Sequence, residues 1–361
     1  MQQLHKNYGK KIGSIIITFI LISLILFVLF PPATSVNLTT GYPFGNNEVI
    51  FGNTITFENV NLTIRGEEKI PVTLLNFSIY NESGDFIESV EFNVQGNELN
   101  ELNNFTVNLV STIHSSWNEY GYGYGYDEPE GPGYYFGYGY GYGYGYGDAA
   151  ASDITFLYDI TYNITQSGTY YAQFFVNSTS TAESHLFDSE TSANFIIEEY
   201  TLYKGWNLIT MAANSTINAS HLASNISGCE MVSWFDAEDQ SYKTYVNGSS
   251  AYDFQLISGY GLFVYMNQNL SLNISGAEIT SVSVPLESGW DMIGWYKETE
   301  TNASNIQSAI TNCSQVSWYN TSKDPKGFTT YTGPGSNNFP IERGLGLFVY
   351  VNESSIWLGE G

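Results

Sequence analysis

The sequence predicts a mainly β protein: an N-terminal hydrophobic helix, then a β-sandwich, then two tandem small β-rich (α+β) repeat modules. Three observations carry this expectation. An apolar run extends from Ile12 to Phe30. From Val36 to about Glu199, short β-branched and aromatic runs alternate with turn formers, as successive strands do. Beyond that point three blocks recur at a steady offset, Trp206 to Trp290 being 84 residues and Gly259 to Gly344 being 85, which marks a duplication. The expected units are 1–35 (cytoplasmic stub and signal or anchor helix), 36–199 (sandwich, with a Gly-Tyr-rich insertion at 119–149), 200–283 and 284–361 (repeat modules).

The N-terminal run sets the expected compartment. Lys6, Lys10 and Lys11 precede it and Pro31-Pro32 follows it; proline lacks the amide proton and ends the helix. Roughly 19 apolar residues suffice for a bilayer core of about 30 Å, and exceed the usual signal-peptide core of about 7–15. Ala33-Thr34-Ser35 nevertheless offers the small residues a signal peptidase requires. A cleaved signal and a retained anchor both stay open. The lysines keep the N-terminus in the cytoplasm, so Val36 onward is expected on the extracellular face of the cell membrane, or secreted if the signal is cleaved.

Charge and cysteine content agree with an exterior location. Eleven Lys and Arg against 36 Asp and Glu give a net charge of −25, which excludes nucleic acid as a partner. The only cysteines are Cys229 and Cys313, too few for a disulfide scaffold. They hold equivalent positions in the two repeats. That favours two separate buried thiols, because a bridge would need the modules to pack about a pseudo-twofold axis beside these strands.

Glycosylation is the strongest chemical signal. Asn-X-Ser/Thr occurs at Asn37, Asn61, Asn76, Asn81, Asn104, Asn163, Asn177, Asn214, Asn218, Asn225, Asn247, Asn269, Asn273, Asn302, Asn312, Asn320 and Asn352. That is about half of all asparagines, where chance order gives about a fifth. Glycans project into solvent, so these positions are expected on loops and outer strand faces.

Within the sandwich, strands are expected at Ile50-Phe51, Thr54 to Ile64, Ile70 to Tyr80, Phe86 to Val94, Phe105 to Val110, Ile154 to Ile164, Thr169 to Val176 and Ala193 to Ile197. Gln166-Ser167-Gly168-Thr169-Tyr170-Tyr171-Ala172 resembles the tyrosine corner of immunoglobulin-like domains. The resemblance implies an Ig-like β-sandwich with Tyr170 as the corner and Ala172 in the place of the usual cysteine; the family's disulfide and buried strand-C Trp have no counterpart. The inserted arms alternate Tyr with Gly, at Tyr120 to Tyr126 and again at Tyr138 to Tyr146. In an extended arm, period two lines the tyrosines on one face. Glycine's backbone entropy makes a mobile loop the default expectation, and an ordered protruding hairpin the functional one. If ordered, Tyr122, Tyr124, Tyr138, Tyr140, Tyr142 and Tyr144 are the expected adhesive face.

The repeats match block by block: Tyr203-Lys204-Gly205-Trp206-Asn207-Leu208-Ile209 with Glu287-Ser288-Gly289-Trp290-Asp291-Met292-Ile293, Cys229 to Trp234 with Cys313 to Trp318, and Gly259 to Tyr265 with Gly344 to Tyr350. Each copy reads as strand, short helix, hairpin, then a Gly-rich turn into a strand. The helices are expected near Ala219 to Ile226 and Ala303 to Ile310, with Asn218 and Asn302 as N-caps. This Gly-Trp-Asn-Leu-Ile … Gly-X-Gly-X-Phe-Val-Tyr pattern resembles modules of large secreted surface proteins, chiefly archaeal. The resemblance implies source and location, and no activity.

Catalytic chemistry is sparse. His5, His114, His185 and His221 show no metal-ligand spacing, and no nucleophile elbow or phosphate loop occurs. Acidic turns at Asp236, Glu238, Asp239 and at Asp127, Glu128, Glu130 read as solvated turns before they read as Ca²⁺ sites. Trp206, Trp234, Tyr245 and Tyr265, with Trp290, Trp318, Tyr331 and Tyr350, suit core packing better than sugar stacking. Trp295, which aligns with Met211, is the aromatic expected to be exposed. The expected protein is no enzyme and carries no cofactor or metal. It is a surface glycoprotein with a structural or adhesive role in the cell envelope, partnered by the membrane through its N-terminal segment and by glycans or other envelope proteins. The alternative is a carbohydrate-binding or receptor-like surface module using exposed aromatics.

Overall fold

The computed structural model describes residues 36–45, 48–64, 72–99, 104–122, 148–178, 186–321, 323 and 325–361. The hydrophobic run at 12–30 lies outside them, as do Tyr124, Tyr138, Tyr140, Tyr142 and Tyr144. Among the described residues no helix is long and apolar enough to cross a membrane. The chain is mainly β, and among the described residues the strand pairs are antiparallel.

The first ten strands are β1 (Val36–Thr39), β2 (Val49–Phe51), β3 (Thr54–Ile64), β4 (Val72–Asn81), β5 (Phe86–Phe92), β6 (Phe105–Tyr122), β7 (Asp148–Asn163), β8 (Gly168–Ser178), β9 (Leu186–Thr191) and β10 (Phe195–Leu202). One sheet runs β1-β3-β7-β6 and the facing one contains β10-β8-β4-β5, with β9 also on β8. Inward side chains of both sheets share one core, whose centre is a relay of rings: Phe57 on Phe77, Phe77 on Phe174, Phe174 on Phe92, Phe92 on Tyr158. The tyrosine-corner residue behaves as its sequence context suggests. Tyr170 is buried, and its hydroxyl donates toward the carbonyls of Ser167 at 3.0 Å and Gln166 at 3.3 Å. β9 has no counterpart among the expected strands, because Asp188 to Glu190 is polar and interrupts the apolar alternation.

β3 shows why alternation alone misleads. Ile55 and Phe57 face the core, but so do Val60, Leu62 and Ile64, on the opposite parity. The pairing with β7 shifts between Phe57 and Val60, and Asn59 takes φ 56°. This β-bulge inserts one residue and turns the later side chains inward.

Sixteen elements form the rest: β11 (Gly205–Thr210), β12 (Ala213–Asn214), α1 (Ala219–Asn225), β13 (Cys229–Asp236), β14 (Ser241–Val246), β15 (Gly261–Met266), β16 (Leu270–Glu278), β17 (Val284–Leu286), β18 (Gly289–Gly294), β19 (Thr301–Asn302), α2 (Ala303–Ala309), β20 (Cys313–Asn320), β21 (Gly327–Tyr331), β22 (Pro340–Ile341), β23 (Gly346–Val351) and β24 (Ser355–Trp357). The duplication is obeyed in the four-stranded sheets. β11-β15-β13-β14 in one module matches β18-β23-β20-β21 in the other. Each helix covers one face of its sheet, Leu222 and Ile306 entering the two cores. The Asn302 side chain accepts the Asn305 N–H, as an N-cap should, whereas Asn218 makes no cap bond. Both helices gain a surrogate 85 residues apart: Asp253 accepts the Ser220 N–H and Asn338 accepts the Ser304 N–H, each at 2.9 Å.

The sandwich and the first module share a strand. Phe195 and Ile197 of β10 enter the sandwich core, while Ile196, Tyr200 and Leu202 enter the first module's core. β10 pairs with β8 on one edge and with β16 on the other, so residues 199 and 200 are consecutive within one strand. The segment between the modules is packed rather than loose, with Ile279, Val282, Val284 and Leu286 all buried. Arg343 fastens the second module to the sandwich. Its guanidinium pairs with Glu198 at 2.6 Å and donates to the Thr169 hydroxyl at 3.0 Å.

The modules meet across a pseudo-twofold axis. The Thr210 N–H donates to the Gly344 carbonyl and, reciprocally, the Gly294 N–H donates to that of Gly259. A Cβ on Gly261 would stand 2.8 Å from the Ile293 carbonyl oxygen, and one on Gly346 2.6 Å from that of Ile209. The second glycine of each Gly-X-Gly therefore serves close backbone approach between modules, while the first, at φ 88° or 86°, makes the turn.

This axis does not join the cysteines. Cys229 pairs with Met266 and Cys313 with Val351, at the opposite ends of β15 and β23 from the axial glycines. Both are free, Cys229 buried and Cys313 half-buried, and burial pushes each thiol up to about 11. Thiol titration at pH 8 is expected to find almost no reaction in the native chain and two thiols in denaturant. A count of zero in denaturant would mean a bridge and would overturn this arrangement.

Candidate functional site

The sheet faces opposite the helices look at each other across the axis. Strand alternation sends Trp206 and Leu208, Ser233 and Phe235, Tyr242 and Thr244, and Phe263 and Tyr265 to this face. Their counterparts are Trp290 and Met292, Ser317 and Tyr319, Phe328 and Thr330, and Phe348 and Tyr350. Leu208, Phe235, Phe263, Met292 and Phe348 close the centre into a separate apolar cluster. Ring contacts repeat in symmetric pairs: Phe235 on Phe348 at 5.4 Å and Phe263 on Tyr319 at 5.5 Å, both edge-to-face. Within each module, Trp206 meets Tyr265 edge-on at 5.1 Å and Trp290 meets Tyr350 at 5.2 Å. Edge-to-face rings hold each other's orientation beyond the burial they share.

The two sheets splay away from that centre and leave two cavities, of about 330 and 370 Å³. One is lined by Trp290, Gln315, Ser317, Thr330 and Phe348, with Phe235 entering from the other module. The other is lined by Trp206, Ser233, Thr244 and Phe263, with Tyr319 entering. Tyr242 and Phe328 line both; they are equivalent residues and remain 52% and 53% exposed. On each wall a hydroxyl pair is set into the sheet, Ser233 with Thr244 at 2.7 Å and Ser317 with Thr330 at 2.8 Å. Among the described residues no charged side chain lines either cavity. At the hairpin tip Lys243 pairs with both Asp236 and Asp239, which leaves one net negative charge there. Each hairpin also reaches its neighbour: the Gln240 amide both donates to and accepts from the Trp290 backbone, and the Lys326 ammonium donates to the Lys204 carbonyl.

Several expectations are redistributed by this geometry. Of the matched aromatics, Trp206, Trp290, Tyr265 and Tyr350 reach the cleft face. Tyr245 and Tyr331 are buried in the module cores, and Trp234 and Trp318 pack on Phe254 and Phe339 on the helix side. Trp295 is not exposed: it is 2% accessible, and its indole N–H donates to the Thr299 carbonyl. With Trp357 it fills the second module, where the first has Met211 and is backed by Phe51 of β2. Phe235, Tyr242, Tyr319 and Phe328 escaped the sequence reading, although the repeated Ser-Trp-aromatic step already placed Ser233 and Phe235 on one strand face. Among the described residues no cluster of His, Cys, Asp and Glu has the arrangement of a metal site.

Of the sequon asparagines, Asn37, Asn163, Asn218, Asn225, Asn247, Asn269, Asn312 and Asn352 are exposed. Asn61, Asn76, Asn81, Asn104, Asn214, Asn273 and Asn302 are half-buried, and the Asn177 side chain lies outside the described residues. Asn320 departs from the pattern. It is 5% accessible, and a glycan there is incompatible with its packing at the end of β20. Tyr122 ends β6, so the Tyr-Gly segment leaves from the paired ends of β6 and β7.

No family model and no curated protein matches this chain. A solved structure, the C-terminally truncated trimeric ectodomain of the C. elegans fusion protein EFF-1, is similar at 7% identity over 90% of this chain and 87% of that one. Its TM-score is 0.11, and likeness at that level supports no inference.

Proposed function

We propose that the chain is an extracellular surface glycoprotein with a structural or adhesive role in the cell envelope, and that it catalyses no reaction. The observation that carries this reading is the excess of sequons together with their accessibility: exposed members occur on the sandwich and on both modules. In this reading the first unit is an Ig-like sandwich, supported by the Tyr170 corner. The N-terminal apolar run directs the chain outward and supplies its contact with the membrane. The modules belong with those of archaeal-type exported proteins. The shared strand β10 and the Arg343–Glu198 pair suit a load-bearing part, because they leave no loose hinge between units.

Glycopeptide mass spectrometry of the native protein is expected to find glycans at Asn37, Asn163, Asn269 and Asn352 and none at Asn320. A native chain bare at every sequon would sink the glycoprotein reading. Protease added to intact cells should digest the modules; their protection until lysis would contradict the exterior location.

A further inference from the structure

We infer that the two cavities between the modules are paired subsites for an uncharged oligosaccharide. This goes beyond the envelope role, and it does not depend on whether the chain is itself glycosylated.

The lining selects the ligand class. A chain of net charge −25 has here a recess walled by rings, hydroxyls and one carboxamide, with no ionised group among the described residues. An anion or a cation would gain no ion pair on entering, and would lose its hydration. A purely apolar ligand is also disfavoured. Ser233 and Thr244 carry two hydroxyl protons and spend one on each other; Ser317 and Thr330 do the same. Each pair therefore keeps one proton and several lone pairs to offer, and covering them with hydrocarbon would leave them unmatched at a cost of about 1–3 kcal/mol. A pyranose supplies what both surfaces need. Its C–H face lies on an aromatic ring, and its edge hydroxyls both donate and accept.

The arrangement also bears on ligand length. Tyr242 and Phe328 stand between the cavities and line both, more than half exposed in a fold that buries most of its large apolar side chains. They lie where consecutive sugars of one chain would pass from one subsite to the other. Exchanges between the copies preserve this chemistry: Phe235 answers to Tyr319 and Tyr242 to Phe328, ring for ring, and both hydroxyl pairs are kept.

The test uses the full chain produced without glycosylation, with tryptophan fluorescence and calorimetry as readouts. The probes are cellotetraose, maltotetraose and mannotetraose, alongside tetragalacturonate as an acidic chain and dodecyl maltoside below its micellar concentration as an alkyl probe. At least one neutral tetrasaccharide is expected to bind and shift the Trp206 and Trp290 emission, while tetragalacturonate does not. Tyr242→Ala with Phe328→Ala is expected to weaken that binding by at least about tenfold, the size of a single good anchor. The same variant should still melt cooperatively, with its folded state checked by circular dichroism. Each side chain is about half exposed, and their ring contacts are with Phe235, Phe263, Tyr319 and Phe348 at the edge of the cluster. Ser317→Ala should weaken binding without unfolding the second module. Absence of binding by all three neutral chains would overturn the inference. So would neutral-chain binding unaffected by the double variant, or capture of dodecyl maltoside but no tetrasaccharide.

Discussion

Gly294→Thr is expected to destabilise the chain by about 3 kcal/mol, and Thr210→Gly in the same chain is expected to restore most of the loss. Thr210 and Gly294 are equivalent positions, 84 residues apart, and they face each other at the pseudo-twofold axis. A Cβ built on Gly294 collides with the Thr210 side chain. The axis therefore holds one side chain, and Thr210 occupies it, fully buried, with its hydroxyl donating to the Tyr260 carbonyl at 2.8 Å. A second threonine must push the modules apart; overpacking of this kind typically costs about 1–3 kcal/mol, and here it also strains the reciprocal Thr210–Gly344 and Gly294–Gly259 bonds. The double variant moves the threonine to the other side of the same axis. Chemical denaturation of the single and double variants reads the coupling directly. Simple additivity of the two losses would mean that the modules do not meet as described.

Asp291→Asn should stabilise the second module by about 2 kcal/mol at pH 7.5 and remove the pH dependence expected of the native chain. Its counterpart Asn207 makes clear what the position requires. The Asn207 amide nitrogen donates to the carbonyls of Tyr203 and Gly205 at 2.7 and 2.9 Å, while its oxygen accepts the Tyr203 N–H at 2.8 Å. Asp291 keeps the accepting half, taking the Glu287 N–H at 2.9 Å, but its Oδ2 is buried without a partner. Protonated, that oxygen can donate as the amide does; ionised, it cannot. Burial accordingly raises the carboxyl to about 6, the neighbouring Glu287 charge adding a little. The unfolded chain retains the ordinary carboxylate value, so the folded state holds this proton more tightly. The contribution is complete below about pH 4 and is lost as pH rises through about 6. Thermal melts of both chains from pH 4 to 8 test this: the curves should converge at the acid end, separate between about pH 4 and 6, and keep a constant gap above that. A variant that melts lower at pH 7.5 would show that the carboxylate has a partner and that the comparison with Asn207 fails.

The sequence by itself determined the mainly β class, most of the strands, the duplication with its strand–helix–hairpin–strand order, and both helices. These depend on local chemistry: apolar alternation, turn residues, and blocks that align because they descend from one unit. Even the inward turn of Tyr170 was legible, since its hydroxyl bonds to carbonyls only three and four residues away. What the sequence left undecided depends on contacts between residues remote along the chain. The β3 bulge reverses facing through pairing with β7, about 100 residues away, and Trp295 is drawn inward to fill the second module's core beside Trp357 of β24, where the first module is backed by Phe51 of β2. The same holds for the cleft. Each strand's alternation sorts its residues onto two faces, but both faces are apolar, and only the packing of one module on the other decides which is core and which lines a cavity. The axial glycines show the difference most directly. Their recurrence in both copies is visible in the sequence, but the reason for it is a carbonyl oxygen in the other module, brought within 3 Å by tertiary structure alone.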